Sequence, residues 1–209
     1  KNFIFASSGS VYGLKKEKKV TEELSLEPIS TYNKTKMISE RIIQSYKDKI
    51  KYHIIRPATV CGYSPRMRLD VTVNMFVYQA MKKKYIQVLG GKQIRPNIHI
   101  EDLTNVYLHF IKNKNINSGI YNAGFENLSI LEIAKMVSKK CDCKIKISKK
   151  INDQRSYRQN SDKLISTGFK QMYSVKDAIN ELSEKFKNKK IIPDASCFTV
   201  KFMKKNKFK

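Results

Sequence analysis

The chain has 209 residues, 41% apolar and 29% charged, enough to bury a core in one or two domains, and no run of about 18 apolar residues could form a membrane-spanning helix. Its formal charge of +24 comes from 35 lysines and only seven arginines. The lysines are scattered, with dense groups at Lys15–Lys19, Lys82–Lys84 and Lys201–Lys209; phosphate and base recognition favours arginine forks, so the reading is a solvated basic surface, with a nucleic-acid-binding module as the weaker alternative.

In chain order, Phe3-Ile4-Phe5-Ala6 is a short apolar run entering Ser7-Ser8-Gly9-Ser10, the pattern of a buried parallel strand that ends in a loop. This opening is neither an initiator methionine nor a signal peptide, so the sequence is expected to begin inside a fold. Residues 14–27 read as a surface loop. Ser30 or Thr31 can cap a helix running to about Tyr46, with Met37, Ile38, Ile42 and Ile43 at helical spacing. Tyr52-His53-Ile54-Ile55 is a second strand, stopped by Arg56-Pro57. Strand, helix, strand predicts a βαβ crossover, hence a parallel sheet with helices on its faces.

Further on, the pattern predicts a helix over 71–83, a strand at Ile86-Gln87-Val88 ended by Gly90-Gly91, and a strand marked by Ile98 and Ile100. Glu101-Asp102 opens a helix to about Ile111, and Gly119 to Asn122 is a strand. Ser129 caps a helix to about Lys140, 144–147 alternates as a strand, and a last helix covers 175–187. The tail from Ile191 reads as irregular and basic. Cysteines 61, 141, 143 and 197 have neither zinc-site spacing nor the density of a disulfide framework, so no metal is expected and a cytoplasmic location is.

The chemistry centres on Tyr32 and Lys36. Residues four apart share a helix face, and a lysine ammonium beside a tyrosine hydroxyl favours the phenolate, a general base for a substrate hydroxyl. Spacing alone does not select this pair, because Tyr12/Lys16 and Tyr78/Lys82 repeat it. Only Tyr32/Lys36 opens a crossover helix after a strand that ends in hydroxyls. Ligands of open sheets bind outside the carboxyl ends of strands, so Ser8 and Tyr32 are expected to converge there.

Four segments carry a resemblance: residues 3–13 (Phe-Ile-Phe-Ala-Ser-Ser-Gly-Ser-Val-Tyr-Gly), Tyr32-x-x-x-Lys36, residues 56–62 (Arg-Pro-Ala-Thr-Val-Cys-Gly) and residues 95–102 (Arg-Pro-Asn-Ile-His-Ile-Glu-Asp). In this order and spacing they resemble the NAD-dependent nucleotide-sugar epimerase/dehydratase family of extended short-chain dehydrogenases/reductases, over residues 1 to about 187. The resemblance implies an α/β fold: a partial Rossmann parallel sheet with helices on its faces, over 1–64 and 97–123, and a smaller α/β substrate-binding domain over 65–96 and 124–209.

It also implies roles. Tyr32 is the acid/base, Lys36 holds the nicotinamide ribose and Ser8 is the catalytic hydroxyl. Ser7, Pro57 and Ala58 join Tyr32 and Lys36 at the cofactor, NAD with NADP as the variant. Ser8, Ser10, Thr59, Asn74, Arg95 and Arg155 face the nucleotide sugar, the two arginines clamping its diphosphate. His99 is expected to be structural. A homodimer through a bundle that includes residues 30–46 is the family's usual assembly.

Two departures shape the expectation. Dehydratases of the family carry Asp-Glu directly after the catalytic hydroxyl, where this chain has Gly9-Ser10. That favours a UDP-glucose 4-epimerase-like reaction over dehydration, with reductase and decarboxylase chemistry as alternatives. The glycine-rich turn that cradles a dinucleotide pyrophosphate is not among the 209 residues. The expectation is therefore a C-terminal part lacking the cofactor-binding N-terminus, with an inactive truncated remnant as a further alternative.

Overall fold

A computed structural model describes residues 2–149 and 156–205. Strand β1 (Asn2–Ala6), helix α1 (Thr31–Ser45) and strand β2 (Lys51–Pro57) form the expected crossover, followed by β3 (Thr59–Cys61), α2 (Thr72–Lys83), β4 (Tyr85–Leu89) and β5 (Ile94–His99). Then come α3 (Ile100–Lys112), β6 (Gly119–Ala123), β7 (Glu126–Ser129), α4 (Ile130–Cys141), β8 (Lys144–Ser148), α5 (Asp162–Ile165), α6 (Val175–Lys187) and α7 (Thr199–Lys205). The helix starts are chemically marked. The Ser30 side chain accepts the Asn33 N–H at the head of α1, and Ser129/Glu132 and Ser174/Asp177 close capping boxes on α4 and α6.

The chain divides into two compact units, the first of residues 2–60, 93–128 and 156–172. Its main sheet is parallel in the order β1-β2-β6, with Ile4 opposite His53 and Ile55 opposite Tyr121. The fold class is thus α/β with parallel strands, as expected. Strand β2 is buried along most of its length, but β1 is the edge of this sheet and leaves Phe3 47% exposed, where the apolar run predicted a buried strand. A second sheet has the order β3-β5-β7. One core cluster gathers Ile55, Ile98, Val106, Phe110, Tyr121, Leu164 and Phe169.

Residues 14–27 have no regular element but are not a free surface loop. Val20 is fully buried, the Val20 and Lys15 N–H groups donate to the carbonyls of Arg158 and Ser156, and the buried Glu22 carboxylate accepts the Asn122 N–H at 2.7 Å. Those bonds, with Leu164 and Phe169 in the core cluster, put 156–172 in the first unit; the sequence division had assigned that segment to the smaller domain.

The second unit comprises residues 61–92, 129–149 and 173–205. Helices α2, α4 and α6 pack on one another and bury Phe76, Val77, Ile133, Val137, Ile179 and Leu182. Strands β4 and β8 pair in parallel. The tail departs from the irregular segment expected: Cys197 O accepts the Leu69 N–H at 2.8 Å, Phe198 meets the Tyr78 ring edge-on at 5.4 Å, and 199–205 is helical. The tail has helical spacing of its own, but its density of lysines hid the apolar residues Phe198 and Phe202.

Candidate active site at the carboxyl ends of the parallel strands

The chain leaves β1 at Ala6 and turns at once. Ser7 N–H donates to Ile55 O at 2.8 Å, which ties the turn to β2, and the Ser8 hydroxyl caps a 3-10 turn over Gly9–Tyr12. Gly13 ends that turn at φ +70°, where a β-carbon would stand 2.1 Å from Glu27 O, so glycine is required by both conformation and space. Ser8 is half-buried, and its hydroxyl oxygen lies 2.7 Å from that of Ser10. Ser10 in turn donates to Asn33 Oδ1 at 2.7 Å.

Helix α1 brings Tyr32 and Lys36 to the same strand end. The Lys36 ammonium donates to Ala6 O at 2.7 Å and sits 5.7 Å from the centre of the Tyr32 ring. Tyr32 is 55% exposed. The other two Tyr-x-x-x-Lys pairs differ in kind. Tyr12 is fully buried, its hydroxyl donates to Asn122 Oδ1 and accepts from Arg56, and burial pushes its pKa up to about 12. Tyr78 is packed among Phe186 and Phe198.

Beneath the turn lies a buried polar network that the sequence reading missed. Arg56, read only as the stop of a strand, donates to both carboxylate oxygens of Glu40, at 3.0 and 2.7 Å. The Ser7 hydroxyl also donates to Glu40. Burial is the largest single influence and works against the Arg56 charge, but the hydrogen bonds and charge of Glu40 together with Tyr12 outweigh it, so its pKa is raised. Gln159 Nε2 donates to Arg56 O at 2.6 Å and to Asn122 Oδ1 at 2.9 Å. The available signal was the spacing of Tyr32, Lys36 and Glu40, each four residues on along one helix face.

The remaining expected residues fall as follows. Pro57 ends β2, Ala58 N–H donates to Ala123 O at 2.8 Å, and Thr59 opens β3, half-buried. Arg95 lies in β5, largely buried, with Nη1 on Ile94 O at 3.1 Å. His99 is buried and caps α3, accepting the Glu101 N–H. Asn74 belongs to the second unit, where its side chain accepts from Gly62 N and donates to Gly62 O and Arg68 O. Arg155 lies outside the described residues. Ser7, Ser8, Ser10, Tyr32 and Lys36 are therefore brought together in one unit.

Toward a nicotinamide cofactor, these residues fit one end of a site. The Lys36 ammonium has three donors and Ala6 O takes one, so it can still reach ribose hydroxyls beside an exposed tyrosine.

Residues 1–124 match the NAD dependent epimerase/dehydratase family. The chain is 30% identical over 162 residues to a UDP-glucose 4-epimerase of Lactobacillus helveticus, covering 66% of this chain and 49% of that protein. It is also 30% identical over 137 residues to a protein of Bacillus subtilis called an uncharacterized UDP-glucose epimerase, YtcB, covering 65% and 43%. The chain spans about half the length of the curated relatives it matches. Among solved structures, the UDP-glucuronic acid 4-epimerase of Bacillus cereus, in complex with UDP-glucuronic acid and NAD, aligns with a TM-score of 0.78 at 26% identity, over 90% of this chain and 62% of that one. With more than half of its length inside the family match and its strand-end serines and tyrosine–lysine helix in one unit, the chain belongs to the NAD-dependent epimerase/dehydratase family.

Proposed function

We propose that the complete protein is a nucleotide-sugar 4-epimerase of the UDP-glucose type, in which Tyr32 takes the proton of the sugar C4 hydroxyl and later returns it. The observation that carries this reading is the Lys36 ammonium held between Ala6 O and the Tyr32 ring, on the same strand end as Ser8. NAD, held by Lys36 at the nicotinamide ribose, would supply the reversible hydride acceptor for C4. Lys36 holds the nicotinamide ribose and keeps a positive charge beside the Tyr32 oxygen. Ser8 bonds the reacting oxygen and keeps it aligned on Tyr32.

Ser7, Pro57 and Ala58 line the cofactor side in this reading. Ser10 and Thr59 face the sugar, and Arg95 and Arg155 hold the diphosphate, guanidinium forks suiting phosphate oxygens. Dehydration would need an acid directly after Ser8. A β-carbon on Gly9 would stand 3.0 Å from Gln159 Oε1 and 3.2 Å from Pro57 O, so an aspartate enters only by moving a backbone carbonyl and a buried side chain. This favours epimerisation over water elimination. Exposed Ile38, Ile42 and Tyr46 along α1 support a homodimer through this helix, in a cytoplasmic protein.

The test is turnover of UDP-glucose and UDP-galactose by the full-length protein with NAD. The wild type interconverts them, and Tyr32→Phe reduces kcat at least about a hundredfold, the usual scale of a lost general acid/base. Substantial turnover by Tyr32→Phe, or a product that has lost water, overturns the reading.

A further inference from the structure

Behind Ser8 runs a chain of polar side chains that ends at a residue with no role so far. Ser8 and Ser10 hydroxyl oxygens are 2.7 Å apart, and Ser10 Oγ is 2.7 Å from Asn33 Oδ1. Asn33 is fully buried, one residue beyond Tyr32, with its backbone N–H held by Ser30. Its Nδ2 is buried without a hydrogen-bond partner among the described residues.

The direction of this chain decides what Ser8 can do. An amide oxygen only accepts. With Oδ1 toward Ser10, the protons run from Ser8 to Ser10 to Asn33, and Ser8 meets the substrate as an acceptor. The reacting sugar oxygen gives its one proton to Tyr32 and offers only lone pairs elsewhere, so it needs a donor. A half-turn of the Asn33 amide exchanges Oδ1 and Nδ2 within nearly the same volume and reverses every bond of the chain. It also gives the orphaned N–H a partner and leaves a carbonyl oxygen under-used instead, the less costly state for a buried amide.

We propose that Asn33 is a positioning residue for the reaction: its amide donates to Ser10, Ser10 donates to Ser8, and Ser8 thereby points its proton at the reacting sugar oxygen. The inference rests on the epimerase reading of Ser8 and Tyr32. Ser10 acts as the link, and its own contact with Asn33 is what transmits the proton order.

The experiment uses Asn33→Asp in the full-length protein, a change of nearly equal shape. An ionised carboxylate only accepts, so it enforces the unproductive order, and a protonated one can donate. Asn33→Asp lowers kcat about tenfold to hundredfold at neutral pH, the scale of one hydrogen bond to a charged group, with KM unchanged within about twofold. Its relative activity recovers as pH falls through the titration of the introduced carboxyl group, a limb the wild type lacks. Ser10→Ala/Asn33→Asp is no slower than Ser10→Ala. Independently of turnover, carbon-13 NMR gives the introduced carboxyl a pKa about one unit higher when Ser10 is replaced by alanine, since the carboxylate has lost a donor.

Wild-type kcat and pH profile in Asn33→Asp, equal losses in Asn33→Ala and Asn33→Asp at every pH, or a carboxyl titration indifferent to Ser10 each overturn the inference. A wild type that turns over no nucleotide sugar, with a carboxyl titration in Asn33→Asp that depends on Ser10, overturns the epimerase reading and supports the chain.

Discussion

The interior beneath the β1 turn and the interior of the second unit are both buried, yet they are built from different chemistry. Around α2, α4 and α6 the buried positions are Val, Phe, Ile, Ala and Leu apart from Asn74 and Ser183, whose side chains bond to nearby backbone, and the other polar groups sit mostly in caps at the helix ends. Beneath the turn, Ser7, Tyr12, Glu22, Glu40, Arg56, Asn122 and Gln159 are buried together and hydrogen-bonded to one another or to backbone. An apolar core tolerates hydrophobic exchange at similar volume. A polar one fixes directions, because each donor must meet its acceptor at hydrogen-bond distance and an unpaired charge is costly. The second kind suits the strand end where, on the proposed reading, a serine, a tyrosine and a lysine hold their geometry.

The largest effect expected from that contrast is at Glu40. Glu40→Ala leaves the Arg56 guanidinium buried and unpaired and costs about 3–5 kcal/mol, read as a fall in the urea midpoint. Glu40→Leu combined with Arg56→Met recovers most of the loss in stability. If the single change is nearly neutral, the pair is not a keystone and the contrast fails.

In the apolar interior, Leu182→Ala removes a fully buried side chain among packed helices. It costs about 2–5 kcal/mol by methylene loss and cavity together, and an isosteric Leu182→Met costs less than about 1.5 kcal/mol. Equal sensitivity of Leu182 to both changes would mean that this core, too, is specified by shape in detail. Smaller still is Ser129→Ala, which opens the capping box of α4 and lowers thermal stability by about 1 kcal/mol.

The smallest effect is set by pH. His53 is buried, and burial holds its pKa below the ordinary 6.5. The folded form thus disfavours the proton that the unfolded chain takes up, so the stability is complete above about 6.5 and declines as pH falls below it. His53→Gln flattens that decline in urea midpoints measured between about pH 5 and 7; an unchanged slope assigns it elsewhere.

Much of the fold was legible because it is written locally. The crossover, the caps at Ser30 and Ser129, the α2 and α6 helices and the turn after Ala6 all follow from periodicity and from residues adjacent in sequence. The convergence of Tyr32, Lys36 and Ser8 on one strand end was legible the same way, through a strand, a loop and a helix start. What was missed is non-local. Arg56 and Glu40 are 16 residues apart, and Glu22 and Asn122 are 100 apart; helix spacing can place Glu40 on the face of Tyr32 and Lys36, but it does not name the buried partner that each charge will meet.

By itself, then, the sequence determined the longer helices, the parallel crossover of β1 and β2 and the tyrosine–lysine helix face, since these depend on spacing within a few turns of chain. Tertiary structure decided which of the three tyrosine–lysine pairs stands open, that Tyr12 is a buried anchor, that 156–172 packs with the first sheet, and that Asn33 stands behind Ser8. The physical reason is that burial and hydrogen-bond partnership are properties of a neighbourhood in space, assembled from segments that the sequence keeps far apart.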